Sequence, residues 1–289
     1  MTRTEFINDA VKHIGNAYSM ALPVKGAIKD LAGQVWDIAN GLFSGQTGTP
    51  ASRVYVTTAA ELEAAVAAQT AGQFIHIAPG TYQLLASLTI PMAADGGGLI
   101  GDGIVVINGA ASADQAILIN HTTSTGTFEY TIGGGIETKG GANKIALKIA
   151  NGASTQKTLV YVNDSANFLD NGTGVAISAV NTGTGAVRLY VNGTGQGFDT
   201  INITPKVADD RFTFRNVSID EDMTVADVAV AATFMFTLCK LPHAGIKGGN
   251  AANVISANSC WTEETEFVPV VPDASDFPNG FSATIYPAS

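Results

Sequence analysis

The sequence predicts an all-β domain behind a helical N-terminal arm, and three observations predict it. From Arg53 onward, short runs rich in Val, Ile, Leu and Phe alternate with clusters of Gly, Asn, Thr and Ser. Many of those runs end on Asn followed by Gly or Asp, and few of the intervening stretches have helical periodicity. Residues 1–44, by contrast, carry apolar side chains at helical spacing, and a Gly/Thr/Ser-rich linker over 45–53 separates the two regions.

The arm reads as two helices. Thr4 caps the first, from Glu5 towards Leu22, with Ile7, Val11, Ile14 and Tyr18 on one face; Pro23 interrupts it. Val24, Ile28, Leu31, Val35, Ile38 and Leu42 then form a heptad seam, with Ile28, Val35 and Leu42 at position a and the other three at d. β-Branched residues and Leu are mixed at both positions, which is compatible with a trimer. Gly26 and Gly33 each weaken an isolated helix by about 1 kcal/mol. These six seam residues are the candidates for oligomerisation or docking on a partner. The alternative is that they pack on the chain's own domain.

Beyond the linker, Val54–Val56 reads as a strand. Thr58 and Glu61 then form a capping box for a helix that buries Leu62, Ala65 and Val66. Strands follow at Phe74–Ile77, Leu88–Ile90, Ile104–Ile107, Ala116–Ile119, Phe128–Ile132, Ile145–Ile149, Leu159–Val162 and Val175–Val180. More follow at Val187–Val191, Ile201–Ile203, Phe212–Phe214, Phe234–Leu238 and Val254–Ser256. Asn108-Gly109, Asn151-Gly152, Asn163-Asp164 and Asn192-Gly193 punctuate them, with Asn and Gly expected to supply left-handed backbone at sharp corners. Such pairs would serve the corners of a coil or the hairpins of a β-sandwich or jelly roll. Over 262–289 four prolines mark a tail that wraps a neighbour or caps the domain.

One stretch favours the coil. Thr57-Thr58-Ala59-Ala60-Glu61-Leu62, Phe74-Ile75-His76-Ile77-Ala78-Pro79-Gly80-Thr81-Tyr82, Leu88-Thr89-Ile90, Leu99-Ile100-Gly101-Asp102-Gly103 and Ile107-Asn108-Gly109 follow one another. This succession resembles the opening turns of right-handed parallel β-helices of the pectate-lyase-like superfamily. The resemblance covers roughly 50 residues and implies a parallel β-helix over 54–261, closed at its start by the capping helix, with Ile75, Ile77, Leu88, Ile90 and Ile107 in its core. That superfamily holds carbohydrate-cleaving enzymes and phage virion proteins. A helical arm, a linker and a compact β-helix, with no signal peptide evident, look like the second group. The resemblance therefore implies a structural virion protein made in the host cytoplasm, as a capsid cement or decoration protein in trimeric form. Its partners would be its own copies and the major capsid protein or another virion protein. A tailspike or fibre component that binds or cleaves polysaccharide is the alternative.

Composition and chemistry agree with a structural role. Charged residues are only 14% of the chain, 46% are hydrophobic, and the net charge of −10 opposes binding to nucleic acid. No run of apolar residues is long enough for a membrane span. Cys239 and Cys260 are the only cysteines, and their spacing suits two small core residues on successive turns better than a disulfide. The acidic groups available for catalysis are Asp209-Asp210 and Asp220-Glu221-Asp222, with Arg211 and Arg215 between them. Pro242-His243-Ala244-Gly245-Ile246-Lys247 resembles polygalacturonase-like segments only in part, lacking both Gly-His-Gly and an Arg before Ile-Lys. None of His13, His76, His121 and His243 has a second histidine at ligand spacing, so neither metal nor cofactor is expected. Asp102 reads as a turn residue, and Trp36 and Trp261 are a thin supply of sugar platforms beside the tyrosines.

Overall fold

A computed structural model describes residues 53–260, apart from 123–125, 143, 153, 164–165, 170–173, 194–196, 242–245 and 251, together with residues 282–285. The chain divides into two compact units, Met1–Val54 and Tyr55–Ser289. The arm and its seam, Val24, Ile28, Leu31, Val35, Ile38 and Leu42, lie outside the described residues, as do the linker up to Ala51 and Ser52 and all of 262–289 except 282–285.

The described residues are predominantly strand. In chain order they form β1 (Arg53–Val56), helix α1 (Ala59–Ala67), β2 (Phe74–Ile77), β3 (Gly80–Gln83), β4 (Leu88–Ile90), β5 (Gly97–Asn108), β6 (Gln115–His121), β7 (Phe128–Lys139) and β8 (Ile145–Asn151). There follow β9 (Thr158–Asn163), β10 (Asn167–Leu169), β11 (Val175–Asn181), β12 (Val187–Asn192), β13 (Gly197–Phe198), β14 (Ile201–Thr204) and β15 (Arg211–Arg215). The last are β16 (Ser218–Ile219), β17 (Met223–Val225), β18 (Thr233–Thr237), β19 (Ile246–Gly248), β20 (Val254–Cys260) and β21 (Ser282–Ile285).

Strands stack on the strand of the next coil rather than on their sequence neighbour. One sheet runs β2-β5-β7-β9-β12-β15-β18-β20-β21 and a second runs β4-β6-β8-β11-β14-β17-β19. A third set links β3 and β10 to the far halves of β5 and β7, and β13 to β16. Every register from β2 to β21 is parallel, with coils running from 21 residues, where Thr233 meets Val254, to 33, where Gly98 meets Thr131. Asn–Gly pairs therefore end strands whose partners lie a full coil away, and none closes a hairpin. The arrangement is all-β, built of stacked parallel sheets, and compatible with a parallel β-helix.

Alternation of buried and exposed positions makes the core. β9, β12, β15 and β18 each bury every second residue. Their inward side chains fall in columns: Tyr130, Val160, Leu189, Phe212, Phe234 and Ile255 in one, Ile132, Val162, Val191, Phe214, Phe236 and Ala257 in the next. Phe212 stacks on Phe234 at 5.2 Å and Phe214 on Phe236 at 5.3 Å. Opposite them Leu88, Ile117, Leu147, Ile177, Ile201 and Met223 line the second sheet. Ile75, Ile77, Leu88, Ile90 and Ile107 are all buried, as their alternation predicts.

The first coil is closed by α1. Thr58 Oγ1 accepts from Glu61 N at 3.2 Å while Glu61 Oε2 accepts from Thr58 N at 3.1 Å, the reciprocal capping box. Leu62 and Val66 are buried, with Ala65 half-covered, and α1 packs on β4 and β2. Glu63 ties the helix down by accepting from Leu85 N at 2.6 Å. Gln69, buried beneath, donates to Gln73 O and Gly98 O and accepts from the Tyr130 hydroxyl at 2.8 Å.

Polar clasps hold the buried corners. His121, Asn151 and Asn181 stand in register at the ends of β6, β8 and β11. Asn151 Nδ2 donates to Gln156 O and Gly185 O, and its Oδ1 accepts from Ser154 N. Asn181 Nδ2 donates to Asp210 Oδ1 at 2.8 Å. Asp210, fully buried, also accepts from Val187 N at 2.7 Å, Lys206 N at 2.7 Å and Val207 N at 3.0 Å. These side chains act by hydrogen bonding, not by the left-handed backbone expected of the Asn corners. Among the described residues only Asn216 (φ 52°) and Leu238 (φ 55°) are left-handed without being glycine. They occupy one corner on successive coils, since Arg215 pairs with Thr237.

Two outcomes follow. Asp210→Ala strands four N–H donors around a buried site, and chemical denaturation is expected to register a loss of about 3 kcal/mol or more. Leu238 is exposed, so Leu238→Asn removes no core side chain and puts at a left-handed position a residue that tolerates it better; a gain of about 0.5–1 kcal/mol in the same measurement is expected.

Candidate functional site

The carboxylates that the sequence offers for chemistry are engaged in the fold. Asp209 sits between Arg188 at 2.5 Å and Lys157 at 3.2 Å, and the Arg188 hydrogen bond holds its carboxyl below the ordinary range. Asp210, its neighbour in sequence, turns inward to the corner already described. Asp220 accepts from Ser218 Oγ at 2.5 Å and Lys240 Nζ at 2.9 Å. Burial works to raise the Asp220 carboxyl, but those two donors outweigh it and hold it low. Glu221 accepts from Thr200 Oγ1 at 3.1 Å. The two sequence clusters are thus divided among a surface ion-pair group, a buried clasp and a corner. Arg211 and Arg215 bridge none of them: no ion pair to either is present among the described residues.

The histidines also separate. His13 and His243 lie outside the described residues. His76 Nδ1 meets Asp102 Oδ1 at 2.8 Å, and its ring lies 5.1 Å from that of Tyr55. Asp102, expected as a turn residue, thus occupies the bend within β5 and orients an imidazole of β2. Gly134 of β7, the partner of Gly101 at that bend, has φ 73°, and a Cβ there would meet Gly101 O. His121 is buried, with Nδ1 at 3.0 Å from Thr158 Oγ1, Nε2 at 3.3 Å from Ser154 Oγ, and the Phe128 ring beside it. Among the described residues no three His, Cys, Asp or Glu side chains gather to hold a metal ion. No helix among them is long and apolar enough to cross a membrane.

Cys239 and Cys260 form no disulfide, and both are fully buried. They continue the register of β18 on β20, as their spacing predicts, and a hydrogen bond between them together with burial pushes the Cys239 thiol far above its ordinary value. They are small core residues, not a reactive site.

The densest assembly of functional side chains lies on the outer face of the first sheet. Tyr161 of β9 and Tyr190 of β12 are in register, with rings stacked at 5.2 Å and an interplanar angle of 12°. Arg188, outward on β12, is raised above its ordinary value chiefly by its bond to Asp209, with a smaller contribution from Tyr190 nearby. Lys157 completes the charged edge through Asp209. Burial, with Glu129 nearby, pushes the Tyr161 phenol up. Nothing in the sequence marks this face, because the tyrosines share a column only when the coil between them has its actual length. Trp36 and Trp261 lie outside the described residues.

No family model, curated protein or solved structure matches this chain.

His121 supplies a pH test. Burial depresses its folded-state pKa, with Asp95 partly opposing, so the unfolded chain binds the proton more readily. Stability is therefore full above the unfolded value of about 6.5 and falls as pH drops below it, until the folded-state pKa is reached. Thermal melts between pH 7.5 and 5 are expected to show this decline, and His121→Gln to flatten it.

Proposed function

We propose that this chain is a non-catalytic structural protein of a virion: a right-handed parallel β-helix behind a helical arm, acting as a capsid cement or decoration protein that stabilises a phage head as a homotrimer. The carrying observation is the engagement of Asp209, Asp210 and Asp220 in fold-holding contacts. A hydrolase of this architecture needs one carboxyl raised to act as acid and a second facing it across the bond. Here Asp209 and Asp220 are both held low. Coils joined by crossovers between parallel strands favour the right-handed sense, because a right-twisted strand returns to its sheet only that way.

On this reading the arm joins three copies or docks on the major capsid protein, through Val24, Ile28, Leu31, Val35, Ile38 and Leu42. A tailspike or fibre component is the second reading, and the stacked tyrosines beside Arg188 favour it. Removing residues 1–44 is expected to abolish trimerisation in sedimentation velocity, or attachment to particles, while the far-ultraviolet dichroism of the β domain persists. Normal assembly by the truncated chain would count against the proposal.

A further inference from the structure

The corner that follows the first sheet recurs on successive coils, and one buried position in it is filled by three residues in turn. Asn216 and Leu238 share left-handed backbone there, so Val217 and Cys239, the residues after them, take the same place one coil apart. Cys260 follows on the next coil: it stands two residues past Asn258, as Cys239 stands two past Thr237, and those two are register partners. Val217 and both cysteines are buried. Val217 shows that an aliphatic side chain fills this place, so volume alone does not call for sulfur on the next two coils.

Contact between the two thiols is direct. A side-chain hydrogen bond joins Cys239 to Cys260. Cys239 Sγ also donates towards Phe214 O and Thr237 O, each at 3.3 Å, and these carbonyls anchor the sulfur beside its neighbour. Stacked residues of adjacent parallel strands have Cα separations inside the range that a disulfide bridges. The pair also lies where the ladder is least regular. On one side β20 meets β18 in unbroken register, while on the other its pairing with β21 shifts between Asn258 and Cys260. Local opening is favoured at such an irregularity.

We infer that Cys239 and Cys260 are an oxidation site, at which a small-molecule disulfide converts the thiol pair into a disulfide that staples β20 to the coil beneath it. The closed coil is inert, because the shared hydrogen bond and burial keep Cys239 protonated. Opening of β20 lets Cys260 ionise and attack one sulfur of the oxidant, which forms a mixed disulfide and releases one thiolate. Cys239 then attacks the Cys260 sulfur and displaces the second thiolate. The protein pair gives up two protons and two electrons, and the oxidant leaves as two thiols. The link closes a loop between residues 21 apart, long enough to restrict the unfolded chain. This goes beyond the assembly role and does not depend on it, because the pair belongs to the β domain.

The test takes the full-length chain, reduced and freed of reductant, into millimolar oxidised glutathione at mildly alkaline pH, a few degrees below its melting temperature. Thiol titration in denaturant should fall from two per chain to none. The intact mass should drop by two hydrogens, with no glutathione retained and no dimer formed. The melting temperature should rise by about 5 °C or more, and reductant should reverse the rise. Cys239→Val, which repeats Val217, and Cys260→Ala should show no such rise. Two thiols that persist through oxidation overturn the inference. So do glutathione adducts or interchain dimers in place of the internal link, a melting temperature unchanged or lowered by oxidation, or the same rise in either single-cysteine variant.

Discussion

Each coil of this chain has to return to the lateral position of the coil before it, because a parallel ladder offers its hydrogen bonds only at fixed register. A slip of one residue would turn an entire inner column to solvent. Thr158 meeting Val187, and Thr233 meeting Val254, are therefore the terms on which all else is set. Loops absorb the differences in coil length; the strands absorb none. Corners between strands carry backbone groups into the interior, where water cannot satisfy them. Asn151, Asn181 and Asp210 meet that demand, each holding two or more main-chain groups. The polar clasps are a consequence of register, not an independent source of stability.

Coil length and core composition change together. The coil in which Gly98 meets Thr131 is long, and around it Ile132, Val160, Val162, Leu189 and Val191 fill most of the inner columns beside Tyr130. Later coils are shorter, as where Arg211 meets Thr233, and Phe212, Phe214, Phe234 and Phe236 replace the aliphatics. A shorter coil points fewer side chains inward, so each must fill more volume to reach native packing density. On the second sheet the long coils compensate in the other direction, with Ala116, Ala146 and Ala176 buried in one column.

This relation explains what was legible in the sequence. Alternation is local, so the strand runs from Phe74–Ile77 to Val254–Ser256 were readable, as were the Thr58–Glu61 box and the buried face of α1. The two- and three-residue strands β10, β13, β16, β17 and β19 were not, because lateral pairing rather than propensity makes them strands. Gly97 and Gly98 begin β5, and the missing side chain at Gly98 admits close neighbours such as Phe74 and Thr131 O. Asp210 looked like half of an acidic pair with Asp209, although adjacent strand-end residues face opposite ways. Leu238 gave no warning of its left-handed backbone, which neighbouring coils impose on a residue poorly suited to it.

Charge is scarce enough in this chain for each ionised group to be informative. Asp209, Asp210 and Asp220 face cations or main-chain donors, and the contacts that keep Asp209 and Asp220 ionised also unsuit them to donate a proton to a leaving group. Their partners Arg188, Lys157 and Lys240 are occupied in turn. Arg211 and Arg215 differ, being outward on β15 and exposed.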